Sequence, residues 1–322
     1  MSTPPPTPPP TPPPTSAAGL VLVTSDAFNG WVFHDAHPTQ GRRFRNGRSR
    51  VLDLAASVNL SVTEVAADLL PDLAVLADVH DRGYVETVVL GGRCDEWSGV
   101  RRDLGEIALR MVGGTLLAVE ALLAGSRTAV NLAGAKHHAM RANSSGFCVF
   151  NDLAIAARLV LDGHADRVSR IAILDIDAHH GDGTEVLCAD DPRILTFSVH
   201  DRTIFPGTGH EDDPSRHVHN RPLAAGSGDS ALASAVAQWR DVAERFAPDM
   251  IMLAIGADGH RNDPLSTLTY TYDGMSSAVA AVRQAFPELP ILCGGAGGYC
   301  PDLETPESWA RMAVAAAIGS PV

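Results

Sequence analysis

The 322-residue chain has no uninterrupted apolar run approaching the ~18 residues of a membrane-spanning helix, so no membrane is expected as a partner. Cysteine is sparse. Cys94, Cys148, Cys188, Cys293 and Cys300 are odd in number, contain no CxxC pair and follow no recognisable signal peptide. That argues against a disulfide framework and makes a reducing, cytoplasmic setting the expectation. Basic residues are outnumbered, 25 Lys and Arg against 38 Asp and Glu, for a formal charge of −13. This balance disfavours nucleic acid as a partner. There is no internal repeat and no linker after residue 19, so one folded domain is expected over 19–322. Residues 1–18 open with MSTPPPTPPPTPPPTS and read as a disordered proline-rich tail, because proline at this density blocks helix and sheet hydrogen bonding.

What is present is a real core: 45% of the residues are hydrophobic. The stretch Ile171–Asp182, IAILDIDAHHGD, begins as the short apolar run of a strand buried on both faces. It ends in a cluster of Asp175, Asp177, His179, His180 and Asp182. Alternation along a strand puts Asp175, Asp177 and His179 on one side. Carboxylate with imidazole suits a divalent metal held by three protein ligands with an open position.

Further strands are expected at Gly19–Ser25, Thr128–Leu132, Ile194–Val199, Met250–Ile255 and Pro290–Cys293. Helices are expected at 104–124, 150–163, 230–246, 273–286 and 306–318. Residues 31–50 read as a polar loop, 51–90 as mainly helical and 91–103 as an exposed loop. Gly113–Gly114 inside a helix calls for close packing against a neighbour. Asp152 is expected to cap or support the helix it opens. Strand–helix alternation predicts a three-layer α/β/α domain around a central, mostly parallel sheet. Five successive strand ends carry Gly, His, Asp or Tyr, and in a parallel sheet these ends converge on one face.

The text HHAMRANSSGFCVFND (137–152), DIDAHHGDGT (175–184), FPGTG (205–209), GADGHRNDPL (256–265) and GGAGGY (294–299) resembles the histone deacetylase family in the broad sense, including its bacterial members. The likeness covers about 130–322, with motifs in family order, and extends more loosely to VHDRGYVETV (79–88). It implies an arginase/deacetylase-like fold and a zinc site made by Asp177, His179 and Asp258, ligands that also accept iron(II). It implies that His138 is the general base, His137 its electrostatic companion, and Asp182 and Asp175 the carboxylates that orient His138 and His137. Tyr299 would donate to the developing oxyanion. Phe147 and Phe205 would wall a narrow tunnel, and the Gly146 carbonyl would accept from the substrate amide. A structural potassium ion is implied near Asp175 and Ser198.

The implied reaction is hydrolysis of an N-acetyl or other short acyl amide on a lysine peptide, a protein or a small lysine-like amine. Three other readings stay open. Leu265 stands where a polyamine-selective member carries an acidic residue, which leans against acetylpolyamines. An arginase-type ureohydrolase would need further carboxylates where Gly181 and His260 stand. A non-catalytic acyl-lysine binder would usually have lost Tyr299 or a histidine, and all are present. Ala296 replaces a glycine of the family pattern. His34, His37, His80, His164, His210, His217, His219 and His260 are expected to be surface or structural, with His200 and Asp201 at the rim.

Overall fold

The computed structural model describes residues 19–68 and 70–322; the expected proline-rich tail, 1–18, lies outside the described residues. In chain order the elements are β1 (Leu20–Thr24), α1 (Arg42–Ser57), β2 (Val62–Ala66), α2 (Leu73–Ala77), α3 (Arg82–Val89), α4 (Arg102–Leu123), β3 (Thr128–Asn131), α5 (Asp152–Gly163), β4 (Ile171–Asp175), α6 (Asp182–Cys188), β5 (Ile194–Asp201), β6 (Val218–Leu223), α7 (Asp229–Phe246), β7 (Met250–Ala254), α8 (Tyr272–Ala285), β8 (Ile291–Gly294) and α9 (Glu304–Ile318). The strands form one sheet in the order β2-β1-β3-β8-β7-β4-β5-β6, and every neighbouring pair is parallel. Helices α1, α7, α8 and α9 pack together on one side, and α2 to α6 form the other layer. The α/β/α architecture is the one expected.

The middle of the sheet is dry on both faces. Every residue of β3, β4, β7 and β8 is buried, which is why these strands read as continuous apolar runs. Those four are also adjacent in the sheet, so their C-terminal ends lie side by side. Gly114 of α4 packs where the sequence required it: a Cβ there would stand 2.9 Å from Asn131 Nδ2 at the end of β3.

Four elements depart from expectation. The polar stretch 31–50 contains the first turns of α1. Its arginines hide an apolar face of Phe44, Val51, Leu54 and Ala55, which packs with Gly47 against α9; at Gly47 a Cβ would come within 3.0 Å of Trp309. The helical reading of 51–90 is interrupted by β2, an edge strand beside β1 with no fully buried residue, so no strong period marks it. Glu64 of β2 is tied to Arg48 of α1. The seven-residue α6 and the strand β6, with Asn220, Arg221 and Pro222 in its middle, lack an apolar run and were not expected.

Candidate active site

The end of β4 is the hub. Asp175, Asp177 and His179 are all buried. Asp175 accepts from the Asp177 backbone N–H (3.0 Å) and, at its other oxygen, from His137 Nδ1 (2.6 Å). Asp177 accepts from the backbone N–H of His179 (2.9 Å) and of Gly297 (2.6 Å). Asp258, just beyond β7, accepts from the Ala178 N–H (2.9 Å). Each carboxylate is therefore fixed by main chain.

Asp177, His179 and Asp258 bring one ligand atom each to within 4.8 Å of one another. His179 Nδ1 is 3.1 Å from Asp177 Oδ1 and 2.9 Å from Asp258 Oδ2. Two carboxylates and an imidazole nitrogen, all dehydrated and convergent, fit a divalent cation. The electrostatics agree. Burial opposes the Asp177 charge, but His137 and His179 outweigh it and hold the carboxyl well below the usual range. Burial and the Asp177 charge push Asp258 upward. Space for a second charge of the same sign is thus unfavourable until a cation arrives.

The two histidines after β3 have opposite electrostatics. Their rings are 4.0 Å apart. Burial lowers His137, but Asp175 and Asp177 raise it further, to about 9. Burial and the neighbouring His137 charge lower His138 to about 4. His138 is therefore neutral at pH 7, and its Nδ1–H donates to Asp182 Oδ1 at 2.7 Å. That tautomer leaves Nε2 as the basic atom.

Tyr299 follows β8. Its ring lies 6.4 Å from that of His179, and its backbone N–H donates to Asp263 Oδ2 at 2.7 Å. Burial and the charges of Asp258 and Asp177 raise its phenol well above the ordinary value, so it stays a donor. Phe205 packs edge-on against His138, with centroids 5.0 Å apart, and is 49% exposed. Phe147 packs against Tyr299 (5.9 Å) and His37 (4.5 Å). Gly146, at φ +54°, lies so near His138 and Phe205 that a Cβ would clash with both. Leu265 is half-buried and donates its N–H to Asp263 Oδ1 at 3.0 Å, so one carboxylate ties Leu265 to Tyr299. Ser198 lies opposite Asp175 in the β4–β5 register. The two help to line a cavity of about 10 Å³ with Gly181 and Thr184, room for one small particle.

Several readings need correction. Asp152 is not a cap: Asn151 is, accepting from the Ala154 N–H at 3.0 Å. Asp152 instead accepts from Thr115 Oγ1 (2.5 Å) and from the N–H groups of Ala135 (2.9 Å) and Lys136 (2.7 Å). It anchors the loop that carries the His pair to α4. His180 turns away from the triad to Thr208 Oγ1 (2.8 Å) and Glu185 (3.0 Å). His200 and Asp201 are buried rather than rim residues. His200 Nε2 donates to the Gly209 carbonyl at 3.1 Å, and with His180 it secures the loop that bears Phe205. Ala296 adopts φ +52°, a conformation that favours the glycine it replaces.

Sequence reasoning missed Arg43, Lys136, Glu96 and Asp263. Asp263 is pushed up to about 7 by burial and Asp258. Glu96, from the loop before α4, accepts from the Phe147 N–H at 3.0 Å, where Phe147 has φ +66°. Arg43 is buried behind Tyr299 and donates to the Gly298 carbonyl at 2.7 Å. The buried helix face of α1 was the one signal that could have found Arg43.

Comparison with known proteins points the same way. A family model described as the histone deacetylase domain matches residues 43–316. The chain is similar to the acetoin utilization protein AcuC of Bacillus subtilis (strain 168), 30% identical over 318 residues, covering 91% of this chain and 80% of that protein. It is similar to AcuC of Staphylococcus aureus (strain MRSA252), 29% identical over 316 residues, 90% of this chain and 79% of that protein. A further relative is the chloroplastic histone deacetylase 10 of Oryza sativa subsp. japonica, 36% identical over 197 residues, 58% of this chain and 43% of that protein. With a parallel sheet of this order and a buried Asp–His–Asp triad at its carboxyl edge, the chain belongs to the histone deacetylase family.

Proposed function

We propose that the chain is a zinc-dependent deacylase that hydrolyses N-acetyl or other short acyl amides of lysine or a lysine-like amine. The observation that carries this reading is the meeting, at one sheet edge, of the Asp177–His179–Asp258 triad with a neutral His138. When bound there, the divalent cation supplies Lewis acidity toward water and the amide carbonyl. His138 Nε2 takes the proton of the attacking water and returns one to the leaving amine, while Asp182 fixes its tautomer. His137, held by Asp175, keeps positive charge beside the reacting centre. Tyr299 donates its hydroxyl to the oxyanion, its backbone held by Asp263. Phe147, Phe205 and Leu265 guide the methylene chain, and the Gly146 carbonyl accepts from the substrate N–H. Asp175 and Ser198 would hold a potassium ion, which would steady the strand end.

Iron(II) fits the same triad chemically. A ureohydrolase is disfavoured because the sites of its further carboxylates are Gly181, packed against Asp175, and His260, stacked on Tyr272 with centroids 4.3 Å apart. All five cysteines are free, which supports a reducing, cytoplasmic setting. The test is a panel of acetyl-lysine peptide, acetylputrescine and arginine. Acetate release chiefly from the peptide is expected. A preference for acetylputrescine would move the substrate to polyamines, and urea from arginine would overturn the reading.

A further inference from the structure

Asp201 is the last residue of β5, and it is buried, 2% exposed. The two oxygens of its carboxylate face two different loops. Oδ1 accepts from the backbone N–H of Thr203 at 2.9 Å and from the Thr203 hydroxyl at 2.6 Å. Oδ2 accepts from the backbone N–H of Thr267 at 3.1 Å and from the Thr267 hydroxyl. Thr203 precedes Phe205 by two residues, and Thr267 follows Leu265 by two. One carboxylate thus holds the segments that carry both of these side chains.

A dehydrated carboxylate is unfavourable unless strong hydrogen bonds replace its water, and bonds to an ionised acceptor are of the strong kind. Burial opposes the Asp201 charge, but the bonds from Thr203 and Thr267 outweigh it and keep the carboxyl below the usual range. Asp201 is also seated on the frame of the triad. Its backbone N–H donates at 2.8 Å to the carbonyl of Ala178, the residue between Asp177 and His179. The Ala178 N–H in turn donates to Asp258. Among the described residues, no other hydrogen bond joins the Phe205 loop to the Leu265 segment; the remaining bonds of that loop run to His180 and His200. Asp201 is therefore the one polar link that fixes these two segments relative to each other.

We propose that Asp201 is a positioning residue that fixes Phe205 relative to Leu265 and so makes the entrance select a thin methylene chain. The role rests on the deacylase reading above, in which these two side chains guide the substrate. Asp201 itself lies beneath them and acts through them.

The test uses the full chain, Asp201→Ala, and Asp249→Ala as a control. Asp249 is another carboxylate with several donors, the Ser169 hydroxyl and the N–H groups of Ser169 and Arg170, but it lies at the amino edge of the sheet, away from both loops. Two peptides are compared, one with acetyl-lysine and one with acetylated para-aminomethyl-phenylalanine, whose ring replaces part of the methylene chain. The natural chain should prefer acetyl-lysine. In Asp201→Ala the ratio of kcat/KM for acetyl-lysine over the aromatic peptide should fall by about 10-fold, the equivalent of one lost hydrogen bond to a charged group, chiefly through a higher KM for acetyl-lysine. Losses of fold or metal cancel in that ratio, so Asp249→Ala should leave it unchanged. Thr203→Val and Thr267→Val each remove one hydroxyl donor and keep the backbone N–H. Each should lower the ratio by a smaller factor, which decides the matter should Asp201→Ala fail to fold. Hydrogen exchange should show 202–208 and 264–268 loosening together in Asp201→Ala while the central strands stay protected. A natural chain with no preference for acetyl-lysine overturns the proposal. So does a ratio unchanged in all three variants of Asp201, Thr203 and Thr267, an equal fall in Asp249→Ala, or loosening confined to one segment. Failure of the natural chain to hydrolyse either peptide would instead overturn the deacylase reading, and the selecting role with it.

Discussion

Gly297 donates its backbone N–H to Asp177 Oδ2 at 2.6 Å, and it lies so close to Asp258 that a Cβ would overlap that carboxylate. The loop after β8 is thus fitted to the ligands supplied by β4 and β7. Gly297→Ala should displace Asp258 and cost stability on the scale of an overpacked core, about 1–3 kcal/mol. Zinc stoichiometry by atomic emission, measured after dialysis, should fall well below one per chain. Full occupancy would show that Asp258 has room to adjust.

Tyr299→Phe removes one hydroxyl donor and leaves the triad untouched. Turnover should drop by ~10²-fold or more, the scale of losing one oxyanion donor, with bound metal unchanged. Steady-state kinetics alongside metal analysis would check both. Near-normal turnover would take Tyr299 out of the chemistry.

Glu96 holds the Phe147 N–H at 3.0 Å, and Phe147 sits at φ +66°. Such a backbone persists only where its surroundings enforce it. Glu96→Ala should loosen the wall and raise KM by ~5-fold, the equivalent of about 1 kcal/mol for one hydrogen bond, with a smaller effect on kcat. Glu96→Gln keeps an acceptor oxygen and should stay near the natural KM. Equal KM values for all three chains would remove Glu96 from substrate binding.

The architecture was legible because the central strands are buried on both faces and announce themselves as apolar runs, as in Ile171–Leu174. The polar strand ends that carry the triad and the His pair were legible because they follow those strands within a few residues, and the resemblance to the family singled out the individual residues. Glu96 and Asp263 were not, since each acts through a backbone N–H, which leaves no trace in residue spacing. Arg43 was hidden by its neighbours: an arginine-rich stretch reads as solvated, and only the packing of α1 on α9 shows which arginine turns inward. Strand β2 was hidden because an edge strand needs no apolar face of its own.

His80 predicts a pH dependence of stability. Its Nδ1–H donates to the Met140 carbonyl at 2.8 Å, and its Nε2 accepts from the Asn151 N–H at 2.9 Å. Burial lowers it from 6.5 to about 4 in the folded chain. The unfolded chain therefore takes up a proton first as pH falls. The His80 contribution is intact above pH 6.5, declines by about 1.4 kcal/mol per unit below it, and levels off near pH 4. Chemical denaturation between pH 7 and pH 4 should show a shallower loss for His80→Gln than for the natural chain. Identical slopes would contradict the assignment.

The most direct test of the central claim is acetate release from an acetyl-lysine peptide by the purified chain, run as isolated, after chelation, and after zinc is restored, beside Asp258→Ala. Hydrolysis should be abolished by chelation and returned by zinc, with none at any stage for the variant. Hydrolysis that survives complete metal removal, or that Asp258→Ala retains, would contradict it.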